Sequence, residues 1–224
     1  MRRLIFPLIL GLGGAGILIS LGVWQLDRLG QKQAMLAGIG AAIAAPPGPL
    51  PAAPVPDADQ YRAVEVSGAY LPGGLRVLTS AKGLGPGYRV IAPFLTDAGH
   101  VVMVDRGFLS EASKTAPIPT GRARIEGNLM WPNEIDSYTP APDTATGLWF
   151  ARDVPAMAEA LGTEPVLVVV RATSETGLPV APMPVDTAAI PNHHLNYAIT
   201  WFGLAVVWLG MTALMIRRTL RRED

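Results

Sequence analysis

The residues able to do chemistry are few and unevenly placed. The chain has three histidines and no cysteine, so imidazole is the strongest metal-binding side chain it offers, and thiolate nucleophiles, disulfides and cysteine-held metals are excluded. Two of the three histidines are adjacent, in Pro191-Asn192-His193-His194-Leu195-Asn196-Tyr197-Ala198-Ile199-Thr200-Trp201-Phe202, at the start of a long uncharged run. On a helix, Tyr197, Trp201 and Trp208 follow His194 at three, seven and fourteen residues and form one stripe, while His193 points about 100° away. An imidazole at membrane depth suits a heme iron. The same residues also suit an interfacial aromatic belt with histidines among the headgroups, and the pattern leaves both readings open. Trp24, Gln25 and Arg28 close the first apolar run at a matching depth. Arg28 could pair a porphyrin carboxylate or simply snorkel to the interface. In the middle of the chain, Asp105-Arg106-Gly107-Phe108 follows an apolar strand. Arg106 and Gly107 are expected at a domain edge, where a charge steers a partner, and the plain alternative is a solvated pair. His100 is read as a turn residue.

Other chemistries find no support. There is no H-E-x-x-H, G-x-S-x-G or P-loop, so the chain is not expected to be an enzyme. The methionines form no cluster that would carry copper. Gly11 to Gly16 match G-x-G-x-x-G to the letter, but no strand precedes them and they lie inside an apolar run. The pairs Gly11/Ala15 and Gly16/Ser20, with Gly203 and Gly210 opposite, are read instead as sites of close helix packing. Eighteen basic and eighteen acidic residues cancel without a basic run, so no nucleic-acid partner is expected.

The elements that must position these residues follow from hydropathy and charge. Half of the 224 residues are hydrophobic and 16% are charged, more apolar than an ordinary soluble domain. Residues 4–23 and 187–216 carry no charge, and each run is long enough for a helix crossing about 30 Å of hydrocarbon. Arg2 and Arg3 precede the first, and Arg217, Arg218, Arg221 and Arg222 follow the second. The positive-inside rule then puts both ends in the cytoplasm and the middle in the periplasm of a bacterium. A cleaved signal peptide is the weaker reading of the first run, because it exceeds a usual h-region.

The expected fold is a membrane protein with two transmembrane α-helices flanking a small, mainly antiparallel β (α+β) periplasmic domain. Its segments are a tail (1–3), a first span (4–24), a helix extension and Pro-rich spacer (25–60), the β-rich domain (61–173), a Pro-rich return linker (174–192), a second span (193–216) and a basic tail (217–224). Short β-branched or aromatic runs at 61–70, 75–80, 88–95, 101–109, 123–131, 148–151 and 166–172 predict strands. Residues 154–161 predict a helix, with Asp153 as N-cap and Gly162 closing it.

Taken together, three stretches resemble one family, the surfeit locus protein 1 family of cytochrome c oxidase assembly factors. They are Leu21-Gly22-Val23-Trp24-Gln25-Leu26-Asp27-Arg28 with Lys32, then Gly87-Tyr88-Arg89-Val90-Ile91-Ala92-Pro93-Phe94 with Val104-Asp105-Arg106-Gly107-Phe108, and the segment from Asn192 to Phe202. A weaker fourth is Leu148-Trp149-Phe150-Ala151-Arg152-Asp153. Gln31, Asp105, Phe108 and His193 depart from the family's usual residues. The resemblance implies heme a as cofactor, His194 as its iron ligand, and Tyr197, Trp201, Trp24, Gln25 and Arg28 around it. It implies help in placing that heme in the oxidase core subunit, with heme a synthase a further partner and the bacterial inner membrane the location. The competing expectations are an accessory oxidase subunit without heme and, behind it, a periplasmic membrane-bound enzyme.

Overall fold

A computed structural model describes residues 2–188 and 190–221. Met1, Ala189 and residues 222–224, including Arg222 of the basic tail, lie outside them. The chain divides into two compact units, residues 1–38 with 187–224, and residues 39–186.

The first unit is a helix pair. Helix α1 (Arg2–Ala44) continues well past the first apolar run, because no proline falls between Pro7 and Pro46 to interrupt it. Helix α4 (His194–Leu220) starts at the second histidine, with His193 as its N-cap residue. Both are long and apolar enough to cross a membrane. On α4 the shielded positions His194, Ala198, Trp201, Ala205, Trp208 and Thr212 alternate steps of four and three, the spacing of two helices packed along a narrow seam. Gly11, Gly14 and Gly22 of α1 lie against Thr212, Trp208 and Phe202, so the helices run antiparallel. A Cβ on Gly22 would come within 2.7 Å of the Phe202 ring. The Trp208 indole donates to the Gly11 carbonyl at 3.1 Å. Small residues do allow the approach, although only two of the six expected take part. Gly11 and Ala15 are buried, whereas Gly16, Gly203 and Gly210 have nothing within 4 Å of a Cβ position.

The second unit is a β domain. Its strands are β1 (Gly48–Pro49), β2 (Ala63–Tyr70), β3 (Leu75–Ala81), β4 (Gly85–Thr96), β5 (Val101–Ser110), β6 (Arg122–Leu129), β7 (Leu148–Trp149) and β8 (Leu167–Thr173). Two short helices, α2 (Pro56–Asp59) and α3 (Val154–Leu161), complete it. The sheet order β1-β2-β6-β8-β5-β4-β3-β7, with the extra pairing of β2 to β4, closes β2, β6, β8, β5 and β4 into a barrel. Closure pairs Gly68 with Thr96 and Tyr70 with Phe94. Glycine is required at 68, because a Cβ there would overlap the Leu95 carbonyl. Most pairings are antiparallel, and β5–β8 is parallel.

Two cores follow from the strand period of two. Val64, Val66, Phe94, Val102, Val104, Ile125, Val168 and Val170 fill the barrel. The alternate residues Ile91, Met103, Leu167 and Val169 face outward beneath α3, which contributes Val154, Met157 and Ala158. Burial on both faces is why β5 and β8 read as continuous apolar runs. Helix α3 is capped as expected, Asp153 accepting the Ala156 N–H and Gly162 taking φ 65°. The Pro-rich spacer is extended, and part of it is docked on the barrel. Gly48 and Pro49 pair with Val64 and Glu65, and Leu50 packs on the barrel core. The return segment is also docked, with Ala181 bridged to Phe108.

Candidate functional site

The helix pair brings together residues that are 169 positions apart. His194 Nδ1 lies 2.8 Å from Gln25 Oε1, Gln25 being 9% exposed and His194 half-buried. Gly22, one turn before Gln25, leaves room for the Phe202 ring and so lets the helices close at this level. Trp201 is half-buried two turns along α4. Trp24 is 48% exposed, and the Arg28 guanidinium carbon lies 5.5 Å from its ring centroid. Arg28 also donates to Gln31 Oε1 at 3.0 Å. Among the described residues Arg28 makes no ion pair, so its charge remains open to an anion.

Of the residues expected on the α4 stripe, Tyr197 does not join the seam, and His193 lies off it as expected. Tyr197 is 56% exposed, because the seam passes from His194 to Ala198, four residues on, and leaves the position three residues on beside it. Tyr197 therefore stands at the edge of the stripe rather than within it. His193 is exposed, and its side chain makes no capping bond.

These residues fit a heme. A porphyrin brings four of its iron's ligands, so one imidazole is a sufficient protein donor. With Nδ1 held by Gln25, His194 has its second ring nitrogen available. The indoles of Trp24 and Trp201 supply apolar surface, and Arg28 can pair a propionate.

In the β domain the structure corrects the expectation for Arg106 and Gly107. Val90 pairs with Gly107 and Ile91 with Asp105, so Arg106 is the extra residue of a β-bulge. The bulge turns it inward. Its side chain is 3% exposed and pairs with Glu175 at 2.7 Å, donates to the Pro119 carbonyl at 2.9 Å and lies 4.0 Å over the Tyr70 ring. Arg106 is thus an internal cation rather than a docking charge. Gly107 takes φ 114° and faces the Ala181 carbonyl, where a Cβ would overlap. Arg106 lines a cavity of about 470 Å³ together with Gly73, Gly74, Arg76, Ile118 and Thr146.

A second buried network lies on the other face, and sequence reasoning did not assign it. Arg89 donates to Asp105 at 2.7 Å and to the Met183 carbonyl at 3.2 Å. Arg152 is 3.5 Å from the same carboxylate and also grips Glu134. Burial pushes the Asp105 carboxyl above its ordinary range, against the pull of both guanidiniums and the Gly107 N–H. For Glu134 burial acts upward too, but the contacts with Arg152 together hold it below the usual value. The signal was present in the sequence, since Arg89, Asp105 and Arg152 each sit in one of the quoted motif stretches. Only the fold shows that the segments carrying these three residues meet. His100 is more than a turn residue, its Nδ1 lying 2.9 Å from Glu164.

The fold and site define a class of protein in which a closed β-barrel lies in sequence between two long apolar helices, the helices holding a histidine against a buried amide. The chain belongs to the SURF1 family, whose model matches residues 13–206. It is 33% identical to a SURF1-like protein of Rickettsia felis, over 85% of this chain and 88% of that one. A SURF1-like protein of Rickettsia conorii is 32% identical over 90% and 88%. Human Surfeit locus protein 1 is 29% identical over 83% of this chain and 69% of its own length.

Proposed function

We propose that the protein is an assembly factor for a heme–copper cytochrome c oxidase, carrying heme a between α1 and α4 and assisting its transfer into the oxidase core subunit. The observation that supports this most is the His194–Gln25 contact at 2.8 Å, a metal-competent imidazole backed by a buried amide inside an apolar helix pair. When bound, heme a supplies an iron centre and a long apolar tail that needs a lipid-facing carrier. His194 provides the iron's protein ligand, Trp24 and Trp201 flank it, and Tyr197 contributes from the rim. Arg28 pairs a propionate. The chain has no role as a catalyst in this reading. It lies in the bacterial inner membrane with both ends cytoplasmic and the barrel periplasmic, as the arginines flanking the helices favour. Heme a synthase is the natural donor, the core subunit the acceptor.

The test compares wild type, His194→Ala and His193→Ala, expressed with heme a synthesis active and purified in detergent. Reduced-minus-oxidised spectra per mole of protein should show heme a in wild type and in His193→Ala, and most of it lost in His194→Ala. Depletion in His193→Ala alone moves the ligand by one residue. Heme-free wild type rejects the carrier reading in favour of an accessory subunit.

A further inference from the structure

Resting on that reading and going beyond it, we infer that Gln25 sets the tautomer of His194 and so decides which ring nitrogen meets the iron. A neutral imidazole carries one N–H and one lone pair. The Nδ1 atom faces Gln25 Oε1 at 2.8 Å, and a carbonyl oxygen only accepts. The proton therefore sits on Nδ1, and the ligand lone pair is on Nε2. A free histidine side chain favours the opposite tautomer, with the proton on Nε2, which cannot ligate through that atom. Gln25 works against this default.

Three features of the site make Gln25 suited to the task. It is 9% exposed and stands one turn after Gly22, where the helices pack closely, so its amide is held rather than free to swing. It is neutral. Metal-bound histidines commonly lean on a carboxylate, but an ionised carboxylate within a bilayer-depth helix pair is costly, and an amide oxygen does the same work without the charge. The device also separates two adjacent histidines. His193 is exposed with no side-chain hydrogen bond among the described residues, so nothing selects its tautomer. Gln25 is accordingly a positioning residue: it acts on the iron through His194.

The experiment uses the full chain in detergent, with ¹⁵N-labelled histidine and no heme, His194 being assigned by its absence in His194→Ala. Long-range ¹H–¹⁵N correlations should report the proton on Nδ1 of His194 in wild type. They should report mainly the Nε2–H form in Gln25→Leu. Added heme a should then bind Gln25→Leu about 10- to 100-fold more weakly than wild type, the usual cost of losing such a partner. An Nε2–H form in wild type, as a reversed Gln25 amide would give, overturns the inference. So does equal heme affinity in wild type and Gln25→Leu, and either result leaves the carrier reading standing. The expected tautomers in a wild type that binds no heme a would support the assignment in the free protein and overturn the carrier reading instead.

Discussion

Replacing Arg106 by Met should destabilise the barrel far more than removing an equally well-made ion pair at its surface. Two pairs in the domain have nearly the same geometry. Arg106–Glu175 closes at 2.7 Å with side chains 3% and 12% exposed, and Arg122–Asp97 closes at 2.8 Å with 73% and 51%. Distance predicts equal effects, whereas burial predicts very different ones. Arg106→Met leaves Glu175 enclosed without its cation and frees the Pro119 carbonyl, a change that costs about 3–5 kcal/mol when one member of a buried pair is deleted. Arg122→Met costs at most about 1 kcal/mol. Native-state hydrogen exchange of the full chain, read at β4–β6 peptides, keeps the comparison within the barrel. At about 1.4 kcal/mol per tenfold change, Arg106→Met should lower protection there by roughly two to three and a half powers of ten, and Arg122→Met by less than one. Adding Glu175→Leu to Arg106→Met should recover much of the loss, since an apolar pair can replace a buried ionic one. Equal, small effects of the two arginine substitutions would refute the assignment of Arg106 to the interior and return it to the surface.

Within the helix pair, Gly14→Leu should push the Trp208 indole off α1 and lower the thermal stability of the detergent-solubilised protein by about 1–3 kcal/mol. Gly13→Leu, where a Cβ meets nothing within 4 Å, should be neutral or slightly stabilising. A pH dependence is expected where Asp59 secures α2. The Val55 N–H, then Arg62, hold its carboxyl below the ordinary 3.8. A depressed acid contributes stability above its unfolded value and loses it as pH falls through the folded one, so exchange in residues 55–62 should quicken below about pH 3.8 in wild type and much less so in Asp59→Asn.

Most of the barrel was legible because its strands are short, β-branched and separated by turn residues, and α3 because Asp153 and Gly162 bracket it. Arg106 was misread for a definite reason. Alternation assigns a face to each strand residue only while pairing is regular, and nothing in Val101-Val102-Met103-Val104-Asp105-Arg106 marks the extra residue until the partner strand is known. Tyr197 shows a similar ambiguity on a helix, where positions three and four residues after His194 are equally near and only the facing helix selects Ala198. Gln25 was placed at the right depth from the end of the apolar run. Its bond to His194 depends on the rotation of both helices about their axes, which composition does not state. The sequence left the end of the helix extension open, since residues 34–44 lack both a charge pattern and a proline. The last turn of α1 belongs to the second unit, where the side chains of Asn128 and Arg171 donate to the Ile43 carbonyl from strands more than eighty residues away.

The bulge at Arg106 makes chain length, as well as residue type, part of what β5 encodes. Val102 and Val104 face the barrel, and Leu109, an odd-numbered residue, packs with Val90 because one additional residue has been counted in between. Deleting Arg106 itself would restore one-to-one pairing and leave Leu109 on its face, at the cost of stranding Glu175. Deleting Val102 or Met103 would instead reverse the faces of the residues before the cut relative to those after it. A one-residue deletion along this strand should therefore be tolerated only at Arg106 and only with Glu175 replaced, so a relative shorter by one residue here is expected to have lost the buried arginine and its glutamate together.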